Sequence, residues 1–232
     1  MHLMEKHREF WNREYQTSEH LALSTAPAED LQKFIRFLER HYKHEFLNPH
    51  ARAVDLGCGN GRNLIYLAES FGMPGFGIDI SEVAIGEAQK ASADLPIEYV
   101  AGSIAEPLPV RDESVTLALD MMTSHFLRKA EREKLLEEVV RILRPQGWLF
   151  FKSFLAEEDL NVKRLLKEHP ADEENAYIHP SMKVYEYVWT EDAVYDFFGP
   201  YFEIHKTYKS HKHLRRGRAG KRRTISAYLQ KL

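Results

Sequence analysis

The chain has 232 residues, with 32 basic and 35 acidic side chains and a formal net charge of −3, which excludes a uniformly basic nucleic-acid binder but not a local basic patch. Cys58 is the only cysteine, so neither an intrachain disulfide nor a cysteine-based metal cluster is possible, and no metal-ligand set is read elsewhere. No apolar stretch is long enough to span a membrane and MHLMEKHREFW is too charged for a signal peptide, so a cytoplasmic location with no membrane partner is expected.

Met1 to Leu23 is charged and aromatic, with Phe10, Trp11 and Tyr15 at helical spacing. Such a helix either packs its ring side on the domain or forms a lid, with Trp11 or Tyr15 lining the substrate side. His20 lies nearby without an identifiable partner. Ser24-Thr25-Ala26-Pro27 reads as a helix start, with Glu29 and Asp30 placed to favour the positive end of the dipole. Leu31, Phe34, Ile35, Leu38 and Tyr42 form one apolar stripe, and Asn48-Pro49 punctuates the entry to a first strand.

That strand, Ala53 to Leu56, breaks at Gly57, with Gly59 and Gly61 following at two-residue spacing. Helical periodicity then takes over at Leu64, Leu67, Ala68 and Phe71. Strand, glycine turn and helix form the first unit of a nucleotide-binding α/β sheet. A second strand, Gly75 to Ile78, ends at Asp79, where a carboxylate would grip a ribose diol. Ser81 caps the next helix, whose core face uses Ala84, Ala88 and Ala91. Ile97 to Ala101 is a third strand, followed by Gly102-Ser103-Ile104, and Ser114 to Asp120 a fourth. Arg128 to Arg144 reads as an amphipathic helix whose charges form a solvated outer face, ended by Pro145-Gln146-Gly147. Trp148 to Phe154 is a fifth strand. Leu155 to Val188 is polar, then aromatic around Tyr177, Tyr185 and Tyr187. Thr190 caps a short helix, and Phe202 to Lys209 and Thr224 to Leu232 are two further strands. This alternation predicts a doubly wound, mostly parallel sheet in one domain.

The pattern DxGxGxG from Asp55 to Gly61, with Asp79 and the later strand-end motifs, resembles the class I S-adenosylmethionine-dependent methyltransferases. The resemblance covers residues 51–154 and, more loosely, the last two strands. It implies a seven-stranded Rossmann-like sheet with an antiparallel C-terminal strand. Residues 1–48 would be an N-terminal helical cap, 51–154 the cofactor-binding core, 155–188 a substrate-covering insertion and 189–232 the closing helix and strand pair. S-adenosylmethionine is the implied cofactor. The backbone of Gly57, Gly59 and Gly61 would surround its methionine part, and Asp55 would help hold the ammonium. Asp79 would bind the ribose and Ile80 would pack on adenine. Ser103 and Ile104 stand where the family has Asp-hydrophobic, and Asp120 closes the strand that faces the sulfonium and the acceptor. LRPQGWLFF resembles the family's Leu-Lys-Pro-Gly-Gly turn, with Gln146 replacing one glycine.

The implied reaction is in-line attack on the methyl group, with a general base needed only where the acceptor arrives protonated. His125, in the loop DMMTSHF, is the best-placed base, its alternative being a hydrogen-bonded loop histidine. Tyr177 and His179 are substrate-side candidates, whereas Met121 and Met122 read as packing. The leading expectation is a methyltransferase acting on a small molecule. An RNA methyltransferase docking through the basic run Lys209 to Arg223, and a non-catalytic cofactor-binding protein, are the alternatives. The sequence assigns neither the acceptor nor an oligomeric state.

Overall fold

The computed structural model describes residues 2–20, 23–210, 214–215, 218–219 and 222–232. Two helices, α1 (His2–Thr17) and α2 (Glu29–Tyr42), precede the alternating core. The core runs β1 (Ala53–Leu56), α3 (Arg62–Phe71), β2 (Gly75–Asp79), α4 (Glu82–Ala91), β3 (Ile97–Ala101), β4 (Val115–Met121), α5 (Lys129–Ile142) and β5 (Leu143–Phe154). Then come α6 (Leu160–Glu168), the small strands β6 (Ala176–Ile178) and β7 (Tyr185–Tyr187), α7 (Glu191–Phe198), β8 (Phe202–Lys209), β9 (Leu214–Arg215), β10 (Arg218–Ala219) and β11 (Thr224–Lys231).

Seven strands make one sheet in the order β3-β2-β1-β4-β5-β11-β8. The first five run parallel, while β11 inserts antiparallel to both β5 and β8. This is the doubly wound Rossmann-like sheet with one antiparallel strand that the sequence predicts. The strand order reverses between β1 and β4, where open α/β sheets leave a crevice beyond the carboxyl ends of their strands. One core, around Val54, Ile78, Leu149 and Phe151, lies against α5 and α7. The other, around Leu31, Phe34, Leu64 and Trp148, lies against α2 and α3. Among the described residues no helix is long and apolar enough to cross a membrane.

Three local expectations are corrected. Helix α2 starts at Glu29, behind Ala28, and not at Ser24. The Ala28 N–H donates to Asn63 Oδ1 at 3.2 Å, so a long-range amide replaces the side-chain cap read at Ser24. Strand β5 starts at Leu143, five residues early, because fully buried Leu143 already pairs with Val115. Pro145-Gln146-Gly147 is therefore a bulge inside the strand, with Gln146 at φ +62°. The charges of α5 are not all solvated: Arg132 is buried, ion-paired to Glu173, with its guanidinium 3.8 Å from the Tyr187 ring centroid. Finally, the 155–188 insertion has a small core of its own in Val162, Leu165, Tyr177 and Val188. From the basic run, β9 and β10 pair antiparallel. Residues 211–213, 216–217 and 220–221 lie outside the described residues.

Candidate active site

A cavity of about 600 Å³ opens at the carboxyl ends of β1, β2 and β4 and is roofed by α1. Its first end is built largely from backbone. The chain leaves β1 through Gly57 and Gly59, both left-handed, with φ of +74° and +54°. A Cβ at Gly57 would lie 2.2 Å from Thr123 Cγ2, and one at Gly59 would lie 2.3 Å from the Tyr15 hydroxyl. Those close approaches, together with the positive φ, are why glycine stands there. The Gly57 and Cys58 N–H groups donate to Ile78 O at 2.7 and 3.0 Å, fixing the loop to the tip of β2.

Asp79 completes this end. Its Oδ2 accepts from Gly59 N–H at 2.9 Å and its Oδ1 from Ser81 N–H at 2.8 Å. Burial raises its pKa, and the two amide hydrogen bonds oppose that rise. Ser81 also accepts from Ala84 N–H and so caps α4 as expected. Ile80, Gly102, Ser103 and Ile104 line the wall beside Asp79, and Ser103 Oγ is engaged by Ala105 N–H at 3.2 Å.

Two acids expected at the cofactor stand back from the cavity. Asp55 is 1% exposed and does not line it; Asn63, whose Nδ2 lies 3.4 Å from Asp55 Oδ2, stands between. Burial pushes the Asp55 carboxyl up to about 7. Gly61 is likewise behind the loop, closing on Tyr99 and Ala88. Asp120 is a clearer correction. Alternation along β4 puts Leu117, Leu119 and Met121 on one face and Ala118 on the other, so Asp120 turns toward α5. There its Oδ1 accepts from Ser124 N–H at 3.1 Å, and burial pushes its pKa up to about 6. Met121, Met122 and Thr123 face the cavity in its place.

The second end is made of side chains from four separate segments. Trp11 meets Phe126 edge-on at 4.9 Å, joining α1 to the loop after β4. His125 lines this end, 1% exposed, with neither ring nitrogen partnered among the described residues. Burial first, and the nearby Arg222 charge second, hold its pKa well below the ordinary histidine value. Phe154 stands edge-on to His125 at 5.0 Å, and Ile178, Met182, Lys183 and Glu186 of the insertion close the far wall. Tyr177 is not at this surface: it is fully buried, and its hydroxyl donates to Glu186 Oε2 at 2.5 Å. His179 is half-buried outside the lining, with Nδ1 accepting from Met182 N–H at 3.3 Å.

Tyr15 lies over Gly59 and not on the acceptor side, and burial raises its pKa. Asn12 Oδ1 accepts from Ser81 Oγ at 2.8 Å and Val83 N–H at 3.4 Å, docking α1 on the start of α4. His20 finds its partner in buried Glu14, at 2.6 Å. Sequence reasoning missed Asn12, Asn63, Lys152, Phe126 and Arg222. Only Phe126 had a local signal, as the residue next to His125.

The residues present suit the expected cofactor. The glycine loop offers a side-chain-free backbone surface, Asp79 an oriented carboxylate, and Ile80 with Ile104 an apolar slot. Residues 54–151 match the family model described as a methyltransferase domain. The chain is 28% identical over 152 residues to a glycine/sarcosine/dimethylglycine N-methyltransferase from Actinopolyspora halophila, covering 63% of this chain and 26% of that protein. It is 33% identical over 101 residues to phthiotriol/phenolphthiotriol dimycocerosates methyltransferase 1 from Mycobacterium ulcerans, covering 43% of this chain and 36% of that one. The chain thus spans only a quarter to about a third of these curated relatives. In fold it is similar to a solved S-adenosylmethionine-dependent methyltransferase from Methanosarcina mazei. The TM-score is 0.68 at 24% identity, with 82% of this chain and 96% of that one covered. The glycine loop, the strand order and the domain match agree: residues 54–151 form a methyltransferase domain, and the fold is that of the class I S-adenosylmethionine-dependent methyltransferases.

Proposed function

We propose that the protein transfers a methyl group to a small molecule held at the His125–Phe126 end of the cavity. The observation that carries this reading is the continuity of one cavity from the Asp79–Gly59 end to that aromatic end. The two named relatives support a small acceptor, since neither acceptor in their names is a nucleic acid.

When bound, S-adenosylmethionine supplies an electrophilic methyl group on a sulfonium that departs as a neutral thioether. The protein's part is therefore to hold, align and dry the site. Asp79, pinned by two backbone amides, keeps lone pairs for the ribose hydroxyls. Asn63, backed by Asp55, would present its amide toward the methionine part, and Ile80 and Ile104 would flank adenine. Trp11, Phe126 and Phe154 exclude water and orient the acceptor, and this alignment is where most of the rate would come from. His125, held neutral by burial, would accept the proton of a hydroxyl acceptor as the oxygen–methyl bond forms. Its low basicity limits it to protons that become acidic as the new bond forms.

A labelled-methyl transfer screen against a metabolite extract and total RNA tests the proposal. Label is expected in the metabolite fraction. Label confined to RNA, or no transfer by protein that binds S-adenosylhomocysteine, would overturn it.

A further inference from the structure

The loop after β1 and the loop after β4 touch at one place, and the two ends of the cavity meet there. Gly57 has no side chain, and the side chain of Thr123 occupies the hollow where one would stand. A Cβ on Gly57 would lie 2.2 Å from Thr123 Cγ2, 2.3 Å from Oγ1 and 2.7 Å from Cβ. Both residues also face the cavity. Close-packed groups are nearly incompressible, so a side chain seated in such a hollow moves with the backbone that forms it. Gly57 is held from behind, its N–H donating to Ile78 O at 2.7 Å.

Thr123 is continuous with the acceptor end. It opens a 3-10 turn at Ser124–Phe126, in which Phe126 N–H donates to Thr123 O at 3.1 Å and Leu127 N–H to Ser124 O at 3.0 Å. A turn closed by its own hydrogen bonds carries His125 and Phe126 along when its first residue shifts. The loop is tethered at both ends: Met122 N–H donates to Lys152 O at 2.8 Å, and Leu127 O accepts from Arg132 Nη1 at 2.6 Å. Between them Ser124 N–H donates to Asp120 Oδ1 at 3.1 Å. Thr123 Oγ1 reaches Met121 O only at 3.4 Å, so what this side chain contributes is its shape. Met122 stands at φ +65°, a left-handed conformation that costs a residue other than glycine free energy. Strain of that kind lowers the resistance of the loop to a second arrangement.

We propose that Thr123 is a positioning residue that passes occupancy of the glycine loop to the His125–Phe126 end, so that the acceptor wall is set once the cofactor is in place. The proposal rests on the reading above that the acceptor sits at that end. A ligand lying on the loop backbone limits how far Gly57 can withdraw from Thr123. Thr123 then fixes the turn it opens, and His125 and Phe126 keep one arrangement. The order of binding follows, cofactor before acceptor, and by linkage each tightens the other.

The test is amide hydrogen exchange of the full chain with and without saturating S-adenosylhomocysteine, so that differences in affinity do not enter. In the parent chain the ligand is expected to slow exchange at residues 124–127 by about tenfold. Thr123→Ala removes the two atoms nearest Gly57 and should cut that slowing to about twofold or less. Thr123→Val keeps the branched shape, loses only the hydroxyl, and should retain the full slowing. Exchange at residues 31–38, buried in α2, reports that each chain is folded. Absence of slowing in the parent, slowing that survives Thr123→Ala, or slowing lost in Thr123→Val as well would each overturn the proposal. The second of these would route the coupling through α1, where Tyr15 covers Gly59 and Trp11 meets Phe126. Exchange does not read the acceptor, so a failed labelled-methyl screen would sink the small-molecule reading and leave these outcomes unchanged, which is how the two are told apart.

Discussion

The two ends of the cavity are made in different ways. At the glycine-loop end, residues 55–63 and 79–81 supply nearly everything, and backbone amides do most of the holding. At the acceptor end, α1, the loop after β4, the end of β5, the insertion and Arg222 each contribute side chains, several of them from the insertion, held by ring contacts and the buried Arg222–Glu186 ion pair. Backbone geometry tolerates little variation, whereas a wall of side chains can be rebuilt residue by residue. In the proposed reading the first end holds the cofactor, and the second sets the acceptor.

Breaking the first end should give the largest effect. Asp79→Ala removes the pinned carboxylate, and affinity for S-adenosylhomocysteine should fall by about 100-fold, read by calorimetry. An unchanged affinity would show that the ribose is not held there. Asp55→Asn probes the strain behind the loop. In the fold the Asp55 carboxyl keeps its proton to about 7, against an ordinary value of 3.8. The folded state then binds more protons than the unfolded chain between those values. Its contribution is present below the unfolded value and lost as pH rises through about 7. The asparagine variant should therefore be more stable than the parent by about 4 kcal/mol above pH 7, with the gap closing toward pH 4. Denaturant titrations at the two extremes check this, and a gap independent of pH would contradict it.

Gly59→Ala tests whether roof and floor touch as closely as the geometry says. The added methyl would collide with the Tyr15 hydroxyl, so S-adenosylhomocysteine affinity should drop about tenfold, and adding Tyr15→Ala should recover part of the loss. Purely additive losses in the double variant would mean the backbone conformation alone is responsible. The smallest effect is expected from Trp11→Ala. Acceptor KM should rise about threefold, with S-adenosylhomocysteine affinity unmoved, because Trp11 packs on Phe126 while Tyr15 is the α1 residue that covers Gly59. A loss of cofactor affinity instead would erase the distinction between the two ends.

The same division explains what could be read in advance. The alternating strands and helices, the glycine turn and Asp79 were legible because each rests on local spacing: a break in a strand, a change of period, an acid at a strand tip. Asp120 was misread because a strand end names two faces and the sequence does not say which one points at the ligand. Tyr177 looked like part of a cover, yet the insertion folds on itself and uses that ring as its own core. Arg222 could not be picked from the run KSHKHLRRGRAGKRR, since what singles it out is Phe154 and Glu186, 68 and 36 residues away in the chain. Lys152 was equally invisible, because its partner Asp30 had already been assigned a sufficient role at the start of α2.

Helices α1 and α2 both come from the N-terminal part of the chain, α1 over the carboxyl ends of the strands and α2 on a face of the sheet, but they are not bound alike. Four side chains of α2 are sunk in the core, whereas Glu14 is the only fully buried one described in α1. The bonds that fasten α1, from Ser81 and Val83 to Asn12, go to groups that water can satisfy once the helix lifts. Its detachment is expected to be a local opening with a free energy below that of global unfolding. Amide hydrogens of residues 5–17 should exchange with solvent long before those of 31–38, and bound S-adenosylhomocysteine should slow the first set while leaving the second unchanged. The traffic of ligands through the cavity is thereby separated from the integrity of the fold.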